Sequence, residues 1–405
     1  METKSIISGF SVFLPFAENS AQLISNLKQG KRVALSPWFK SDDEAMKCGF
    51  NRNKFVAKLE HVNDSAFDLL YRLIDNTLQQ AMLDKHCLEG ERVRVYLTGI
   101  GPRVDGIDYK SFYDENDIED VAVTSSIKNL CVANMSQDNV ATNLAQKYNL
   151  KYLPPNMNCT SNSALTAVHL SSQAIERGGI ELALIINISK IKSQDIWFLS
   201  TQSMLETEVV QPFGVDSKGV TFAEGYSVML LESDRSRQAR KMSGGVGLRT
   251  AYTQISASRT YDASWQSANM LKLINKIMKE ADVKVDEICA VIPHGNGSAV
   301  SDSIEAKAIS LLAGEEILPV LAYKGQMGYT ATGSGLVDLI IGHYSLICGE
   351  LIPSVEYDRI IDEISPHLLT GENIVKHDKK HLLKIGLGVD GSVIAVVLTD
   401  TSKEQ

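Results

Sequence analysis

Short runs of consecutive apolar and β-branched residues recur along this chain of 405 residues, and segments with helical spacing separate several of them. Such runs are typical of strands that are buried on both faces. They lie at 92–98, 182–188, 226–231, 289–292 and 392–398. Residues 264–281 carry apolar side chains at three- and four-residue intervals, which predicts an amphipathic helix. This alternation predicts an α/β protein.

The apolar run at 5–17 is compatible with a first strand or with the core of a signal peptide. Glu2 offsets the charge of Lys4, and no convincing small-residue cleavage site follows, so a strand is the better interpretation. No stretch approaches the ~20 consecutive apolar residues that a membrane-spanning helix needs.

Composition narrows the class of protein. Hydrophobic residues make up 44% and charged residues 22% of the chain, as in soluble globular proteins. The net charge of −9 argues against a nucleic-acid-binding surface, which needs clustered Lys and Arg. The six cysteines form no C-x-x-C pair and have no histidine at metal-site spacing, so they predict reduced thiols in the cytoplasm and no metal site. We therefore expect neither nucleic acid nor a membrane as a partner.

Residues 224–234 and 390–400 share one pattern, an acidic residue and Gly followed by an apolar strand that ends at Asp. Two buried strands entered through a Gly turn can look alike by chance, or the chain can contain an internal duplication. In the second case the polar stretch 233–247, with several Arg and two adjacent glycines, connects two halves.

The first candidate for chemistry is Cys159, which lies among Thr, Ser and Asn residues at a predicted helix start. If the helix begins just after Cys159, its free N–H groups and positive dipole end favour the thiolate, the nucleophilic form. The alternative is a buried and inert cysteine.

The second candidate is His294, which follows the strand at 289–292 within Pro-His-Gly-Asn-Gly-Ser. An imidazole there can transfer protons or donate an N–H to an oxyanion, although a turn histidine is the simpler interpretation. The third is Lys324, which follows the strand-like run 317–323 and precedes a helix of small residues. Glu305 is its candidate partner or a solvated helix charge.

The segment 386–391 matches the G-x-G-x-x-G pattern of dinucleotide-binding folds. A strand rather than a helix follows it, so the segment is better interpreted as a tight glycine turn that aims a backbone N–H into a pocket.

Taken in order, these motifs resemble the β-ketoacyl synthases, the condensing enzymes of fatty-acid and polyketide assembly. The resemblance implies a thiolase-like fold of five layers, αβαβα, built from two duplicated βαβαβαββ halves that meet at the active site. Residues 1–234 would carry the nucleophile, and residues 235–405 the histidine, lysine and tyrosine of the site. The family's duplication also favours the second interpretation of the repeat.

By the same resemblance, Cys159 takes an acyl group as a thioester, and His294 is the first of the family's two catalytic histidines. Tyr329 stands where the second histidine is expected. Lys324 and Glu305 keep the positions of a buried ion pair.

The resemblance also implies that the backbone N–H groups of Cys159 and Leu387 form the oxyanion hole. Asn296 and Ser298 stand where the family's Thr pair contacts the pantetheine arm. Phe198 is a candidate for lining the acyl pocket, with packing in the core as the alternative. No cofactor is implied other than the phosphopantetheine of coenzyme A or an acyl carrier protein that delivers the substrate.

The tyrosine decides which function we expect. The phenol of a tyrosine can donate one hydrogen bond, but unlike an imidazole it does not also take up a proton near neutral pH. We therefore expect weaker stabilisation of the enolate that forms when a malonyl group loses carbon dioxide. We therefore expect an acyltransferase that loads Cys159 from an acyl-coenzyme A or acyl carrier protein and passes the group to another acceptor. The alternatives are a decarboxylating 3-oxoacyl synthase and a non-catalytic subunit akin to a chain-length factor, against which the retained Cys159 and His294 count. A homodimer, or a heterodimer with a homologous ketosynthase subunit, is expected.

Overall fold

The computed structural model describes residues 4–59, 66–99, 103–115, 136–254 and 263–404, so Cys131 lies outside the described residues. The strands are β1 (Ser5–Phe13), β2 (Ser36–Pro37), β3 (Phe55–Val56), β4 (Val93–Gly99), β5 (Asn156–Met157), β6 (Leu182–Ser189), β7 (Gly225–Ser233), β8 (Val246–Gln254), β9 (Ile288–Ile292), β10 (Glu350–Leu351), β11 (Val375–Lys376), β12 (His381–Leu387) and β13 (Ser392–Asp400). The helices are α1 (Ser20–Lys28), α2 (Asp42–Lys47), α3 (Ala66–Gln80), α4 (Gly106–Glu115), α5 (Gln137–Lys147), α6 (Ser163–Glu176), α7 (Ser193–Thr201), α8 (Asp234–Ala239), α9 (Ala263–Ala281), α10 (Ala299–Ala313), α11 (Lys324–Met327) and α12 (Ser334–Cys348).

The main sheet follows the order β5-β4-β6-β7-β1-β8-β13-β12-β9 in the described part of the chain. Each half repeats one pairing scheme. In the first half, β1 is antiparallel to β7, β7 is antiparallel to β6, and β6 is parallel to β4. In the second half, β8 is antiparallel to β13, β13 is antiparallel to β12, and β12 is parallel to β9. The repeated segments 224–234 and 390–400 contain β7 and β13, which hold the same place in their halves. The duplication is therefore confirmed by the topology.

The strands predicted from the apolar runs are confirmed, as is the helix over 264–281. The strand-like run 317–323 is the exception, because it forms only isolated bridges such as that of Val320 to Val291. Pro319 within it has no N–H to donate, which shortens any ladder.

The helices form three layers around the two halves of the sheet. Helix α3 and helix α5 cover the outer face of the first half, and α9 and α10 cover the outer face of the second. Helices α6 and α12 fill the space between the halves. Along β6 the alternation is visible, since Leu184 contacts the outer cluster and Ile185 the central one. The five-layer αβαβα arrangement is thus confirmed.

Helix α12 is unusually apolar because it is packed on several sides. The segment Ala331–Cys348 is long and apolar enough to cross a membrane by length and composition alone, and 72% of it is buried inside the protein. This burial is what the central layer requires of a core helix.

Candidate functional site

The two central helices begin in the same way, which brings their first residues together where the halves meet. A 3₁₀ turn, Thr160–Asn162 or Ala331–Gly333, precedes α6 or α12. The first residue of each turn has a positive φ, +48° for Thr160 and +47° for Ala331. Residues other than glycine rarely adopt this conformation. The duplication therefore extends to the backbone geometry of the site.

Ser161, Tyr329 and His294 come together at this point. The Tyr329 hydroxyl donates a hydrogen bond to Ser161 Oγ at 2.6 Å. The rings of Tyr329 and His294 are perpendicular, with centroids 5.6 Å apart. Both rings are buried, with exposed fractions of 3% and 4%. The predicted neighbours His294 and Tyr329 thus meet, but the hydroxyl that joins them is Ser161, which the sequence analysis did not single out.

Cys159 is placed differently from the expectation. Helix α6 begins at Ser163 rather than just after Cys159, and the Cys159 N–H donates to Ser163 Oγ at 2.9 Å. Burial, and to a smaller extent the Asp390 carboxylate and the Cys159 thiol, raise the pKa of Tyr252 on β8. Among the described residues, the hydroxyl that Tyr329 contacts is that of Ser161, and no hydrogen bond joins Cys159 to His294 or Tyr329. The assignment of the Cys159 N–H to an oxyanion hole is wrong in this structure, because that N–H already has a partner.

The internal repeat could have revealed the true helix start. The sequence Ser-Ala-Leu at 163–165 corresponds to Ser-Gly-Leu at 334–336, and both helices begin at that serine. This register puts Ser161 in the middle of the turn, opposite Thr332 of the second half.

Two backbone donors remain near Ser161. The Ser161 N–H bonds to no carbonyl in the part of the chain that the structure describes. Leu387 of β12 is paired in register with Val393 of β13. The backbone N–H of the next residue, Gly388, donates a hydrogen bond to the Ser392 carbonyl oxygen of β13. Because successive residues of an antiparallel strand point their N–H groups to opposite sides, the Leu387 N–H points toward β9, which has ended at Ile292. The role of Leu387 as an oxyanion donor stays a prediction.

Glu305 holds the turn that carries His294. Its two carboxylate oxygens accept the backbone N–H groups of His294 and Gly295 at 2.6 and 2.7 Å. Burial lowers the pKa of the His294 imidazole well below its usual value, and the positive charges of Lys324 and Lys384 lower it further. The ring is therefore neutral near pH 7 and can accept a proton.

The expected pair of Lys324 with Glu305 is not formed. Asp338 Oδ2 accepts from Lys324 Nζ at 2.6 Å and from Lys384 Nζ at 2.5 Å. Both lysines also donate to Pro293 O, at 3.5 and 2.9 Å. The oxygens of Glu305 are occupied by the backbone instead. Lys384 and Asp338 were missed, although a lysine in the middle of an apolar strand is a signal for a buried partner.

Asn296 and Ser298, the residues predicted to bind the pantetheine arm, lie in the turn that precedes α10. Asn296 Oδ1 accepts from Ser298 N at 3.0 Å and from Ser301 Oγ at 3.1 Å, which orders the turn before α10. Burial raises the pKa of Tyr329 to about 12, against the effect of its hydrogen bonds with Ser161 and Asn296. The contacts of Asn296 and Ser298 with a pantetheine arm stay predictions.

Phe198 does not pack in the core, and its role in lining an acyl pocket stays a prediction. Its side chain is 53% exposed on α7. The neighbouring Trp197 turns inward and stacks on Phe50. Consecutive residues point in different directions around a helix, so Trp197 faces the protein while Phe198 faces solvent.

Comparisons with known proteins agree with this fold. The model of the β-ketoacyl synthase N-terminal domain matches residues 5–237, and that of the β-ketoacyl synthase C-terminal domain matches residues 249–358. The chain is 24% identical over 212 residues to pikromycin polyketide synthase component PikAII from Streptomyces venezuelae, and 22% identical over 317 residues to erythronolide synthase EryA2 from Saccharopolyspora erythraea. These alignments cover 50% and 75% of this chain but only 6% and 8% of the two relatives.

Two solved structures have the same fold as the whole chain. One is AntDE:AntF, a type II PKS acyl-carrier protein in complex with its ketosynthase, with a TM-score of 0.82, 18% identity and coverage of 99% of this chain and 100% of that one. The other is the ishigamide ketosynthase/chain length factor, with a TM-score of 0.76, 18% identity and the same coverage.

Proposed function

This chain belongs to the β-ketoacyl synthase family, and we propose that it acts in polyketide metabolism as a partner subunit akin to a chain-length factor. In this role it pairs with a thiol-bearing ketosynthase and bounds the cavity for an acyl chain that an acyl carrier protein delivers. One observation carries the proposal: Tyr329, whose ring packs against His294, makes its 2.6 Å hydrogen bond to the hydroxyl of Ser161 and not to a thiol.

The chemistry of condensation explains why this substitution matters. A ketosynthase relays its acyl group through a thiolate, which forms near neutral pH, whereas a serine hydroxyl does not ionise there. An oxyester is also a poorer acyl donor to a carbanion than a thioester. Tyr329 adds a second deficit, because one fewer imidazole donor costs on the order of 10² to 10³ in rate by oxyanion-hole precedent.

Cys159 no longer argues against a partner subunit. That argument took Cys159 as the residue opposite the histidine, whereas the hydroxyl that Tyr329 contacts belongs to Ser161, two residues further along the chain. Acyl loading of Cys159 therefore becomes the second candidate, supported only by its nearness to the start of α6.

An unpaired sheet edge supports pairing with a homologous subunit. Strand β5 has β4 on one side and is the last strand of the sheet order in the described residues. Just before it, Leu153 is 62% exposed and Tyr152 is 44% exposed. An apolar edge of this kind invites pairing with another chain. The two solved neighbours are themselves named as a ketosynthase with its acyl-carrier protein and as a ketosynthase/chain length factor.

The test compares the chain alone with the chain in the presence of a thiol-bearing ketosynthase of the family. We expect co-purification of the two subunits, and elongation of malonyl units on an acyl carrier protein only by the pair. Leu153→Lys should weaken co-purification, while Phe198→Lys, on another exposed surface, should not. Condensation by the chain alone that Cys159→Ala abolishes would instead establish the second candidate.

A further inference from the structure

We propose that Ser161 is an acyl-accepting nucleophile that hydrolyses acyl thioesters, an activity beyond the role of a partner subunit. The turn that holds Ser161 is strained at Thr160, whose φ is +48°, and α6, with 14 residues, starts immediately after it. Strained residues cluster at functional sites. Ser161 Oγ thereby contacts the hydroxyl of Tyr329, whose buried ring packs against His294.

The hydrogen-bond directions leave the Ser161 proton available. Tyr329 donates to Ser161 Oγ, and each hydroxyl has one hydrogen, so the Ser161 hydrogen is free for a different acceptor. The His294 ring, which is 4% exposed, packs edge-on against the Tyr329 ring, with centroids 5.6 Å apart. This packing puts an imidazole, a group that can accept a proton, next to the Tyr329–Ser161 pair.

The protonation states suit this assignment. Burial, Lys324 and Lys384 keep the pKa of His294 well below its usual value, so the ring is a neutral base at pH 7. Burial raises the pKa of Tyr329 to about 12, so its hydroxyl remains a donor. Ser161 thus contacts a permanent hydrogen-bond donor, Tyr329, and the ring of Tyr329 packs against a neutral base, His294.

Acylation and hydrolysis then follow in two balanced steps. Ser161 Oγ attacks the thioester carbonyl carbon while its proton passes to His294, and the oxyanion faces the N–H groups of Ser161 and Leu387. The C–S bond breaks, and the thiol leaves with the proton from His294. Water then attacks the oxyester and gives a proton to His294. The C–Oγ bond breaks, Ser161 regains its proton and the free acid leaves.

The substrate class is an acyl thioester on phosphopantetheine, and the product is a carboxylic acid. Because an oxyester does not serve as a relay for condensation, acylation at Ser161 removes an acyl chain from elongation. The proposal therefore predicts slow clearance of acyl groups and not chain extension.

Octanoyl-coenzyme A is the probe for the experiment, with thiol release and intact mass as readouts. We expect thiol release by the wild type and an octanoyl adduct on the peptide that contains Ser161, stable to neutral hydroxylamine as an oxyester is. Ser161→Ala should lower thiol release at least about tenfold. Cys159→Ala, the matched control, should keep both readouts. Tyr329→Phe should slow acylation without moving the adduct.

One further variant and a second readout of Ser161→Ala keep the result decisive. Ser161→Cys should become acylated as a hydroxylamine-sensitive thioester, which shows that the probe reaches the site. Wild type that neither releases thiol nor forms an adduct, whether or not Ser161→Cys is labelled, would overturn the proposal, as would an adduct on Cys159. Ser161→Ala should still co-purify with a ketosynthase, so failure of hydrolysis and failure of pairing are separate outcomes.

Discussion

Asp338→Asn tests how the buried charges beneath His294 are balanced. Asp338 compensates Lys324 and Lys384, whose side chains are 2% and 1% exposed, and its own exposed fraction is 2%. Asparagine has almost the same shape and no charge. Removing one partner of a buried ion pair costs about 3 to 5 kcal/mol, because the other charge is left uncompensated.

The loss is limited by the ability of a lysine to give up its proton. Burial lowers the pKa of Lys384 to about 8 already in the wild type, although Asp338 opposes this shift. Deprotonation at pH 7 costs roughly 1.4 kcal/mol for each unit that separates the pKa from the pH. We therefore expect a loss of about 3 kcal/mol at pH 7, near the lower limit of the range for broken buried pairs, and a smaller loss at pH 9, where Lys384 is mostly neutral.

The assay is equilibrium unfolding in urea at pH 7 and pH 9, followed by circular dichroism. The matched control is Asp114→Asn, which breaks the exposed pair with Lys110 and should change the midpoint little. Adding Lys384→Met to Asp338→Asn should recover part of the loss, since only one buried lysine then remains. A loss of less than about 1 kcal/mol at pH 7, or one equal to that of Asp114→Asn, would refute the reasoning.

Three other predictions follow from the same contacts. The folded pKa of Lys384 lies below its unfolded value of 10.5, so its contribution to stability should rise as pH increases from about 8 to 10.5, and Lys384→Met should flatten this rise in urea midpoints. Tyr329→Phe removes one net hydrogen bond and should lower the free energy of unfolding by about 1 kcal/mol, measured by the same titration. Gly333→Ala should destabilise the fold by about 1 to 3 kcal/mol, because its Cβ would lie 2.1 Å from Asn187 Nδ2. Thermal melting compares it with Gly179→Ala, whose Cβ has room, and equal melting temperatures would contradict the packing argument.

Much of the scaffold followed from local sequence. The apolar run at 182–188 predicted β6 because only a strand buried on both faces tolerates such a run, and the structure has Leu182–Ser189 there. The helix over 264–281 followed from its period in the same way. His294 was also placed correctly, since it directly follows a strand and local order fixes that position.

The identity of the nucleophile position depended on the tertiary structure. Ser161 and Cys159 are two residues apart in a run of helix-capping residues, and either can precede a helix. The helix start at Ser163 and the left-handed Thr160 turn Ser161 toward Tyr329, which comes from the other half of the chain. No local propensity distinguishes these two orientations, because the contact that selects between them spans 168 residues.

The partners of the buried charges show the same limit. Lys384 in an apolar strand indicates from sequence alone that a buried partner is needed, since an unpaired buried charge is costly. Which carboxylate pairs with Lys384 depends on the packing of the fold. The partner, Asp338, lies 46 residues earlier in the chain, on the central helix α12. Glu305, the partner expected for Lys324, instead accepts the backbone N–H groups of the His294 turn. The sequence alone thus determined where most strands and helices lie, because their periodicity is local. The packing of the two halves decided which charges are buried together and which groups touch, because those contacts join distant segments.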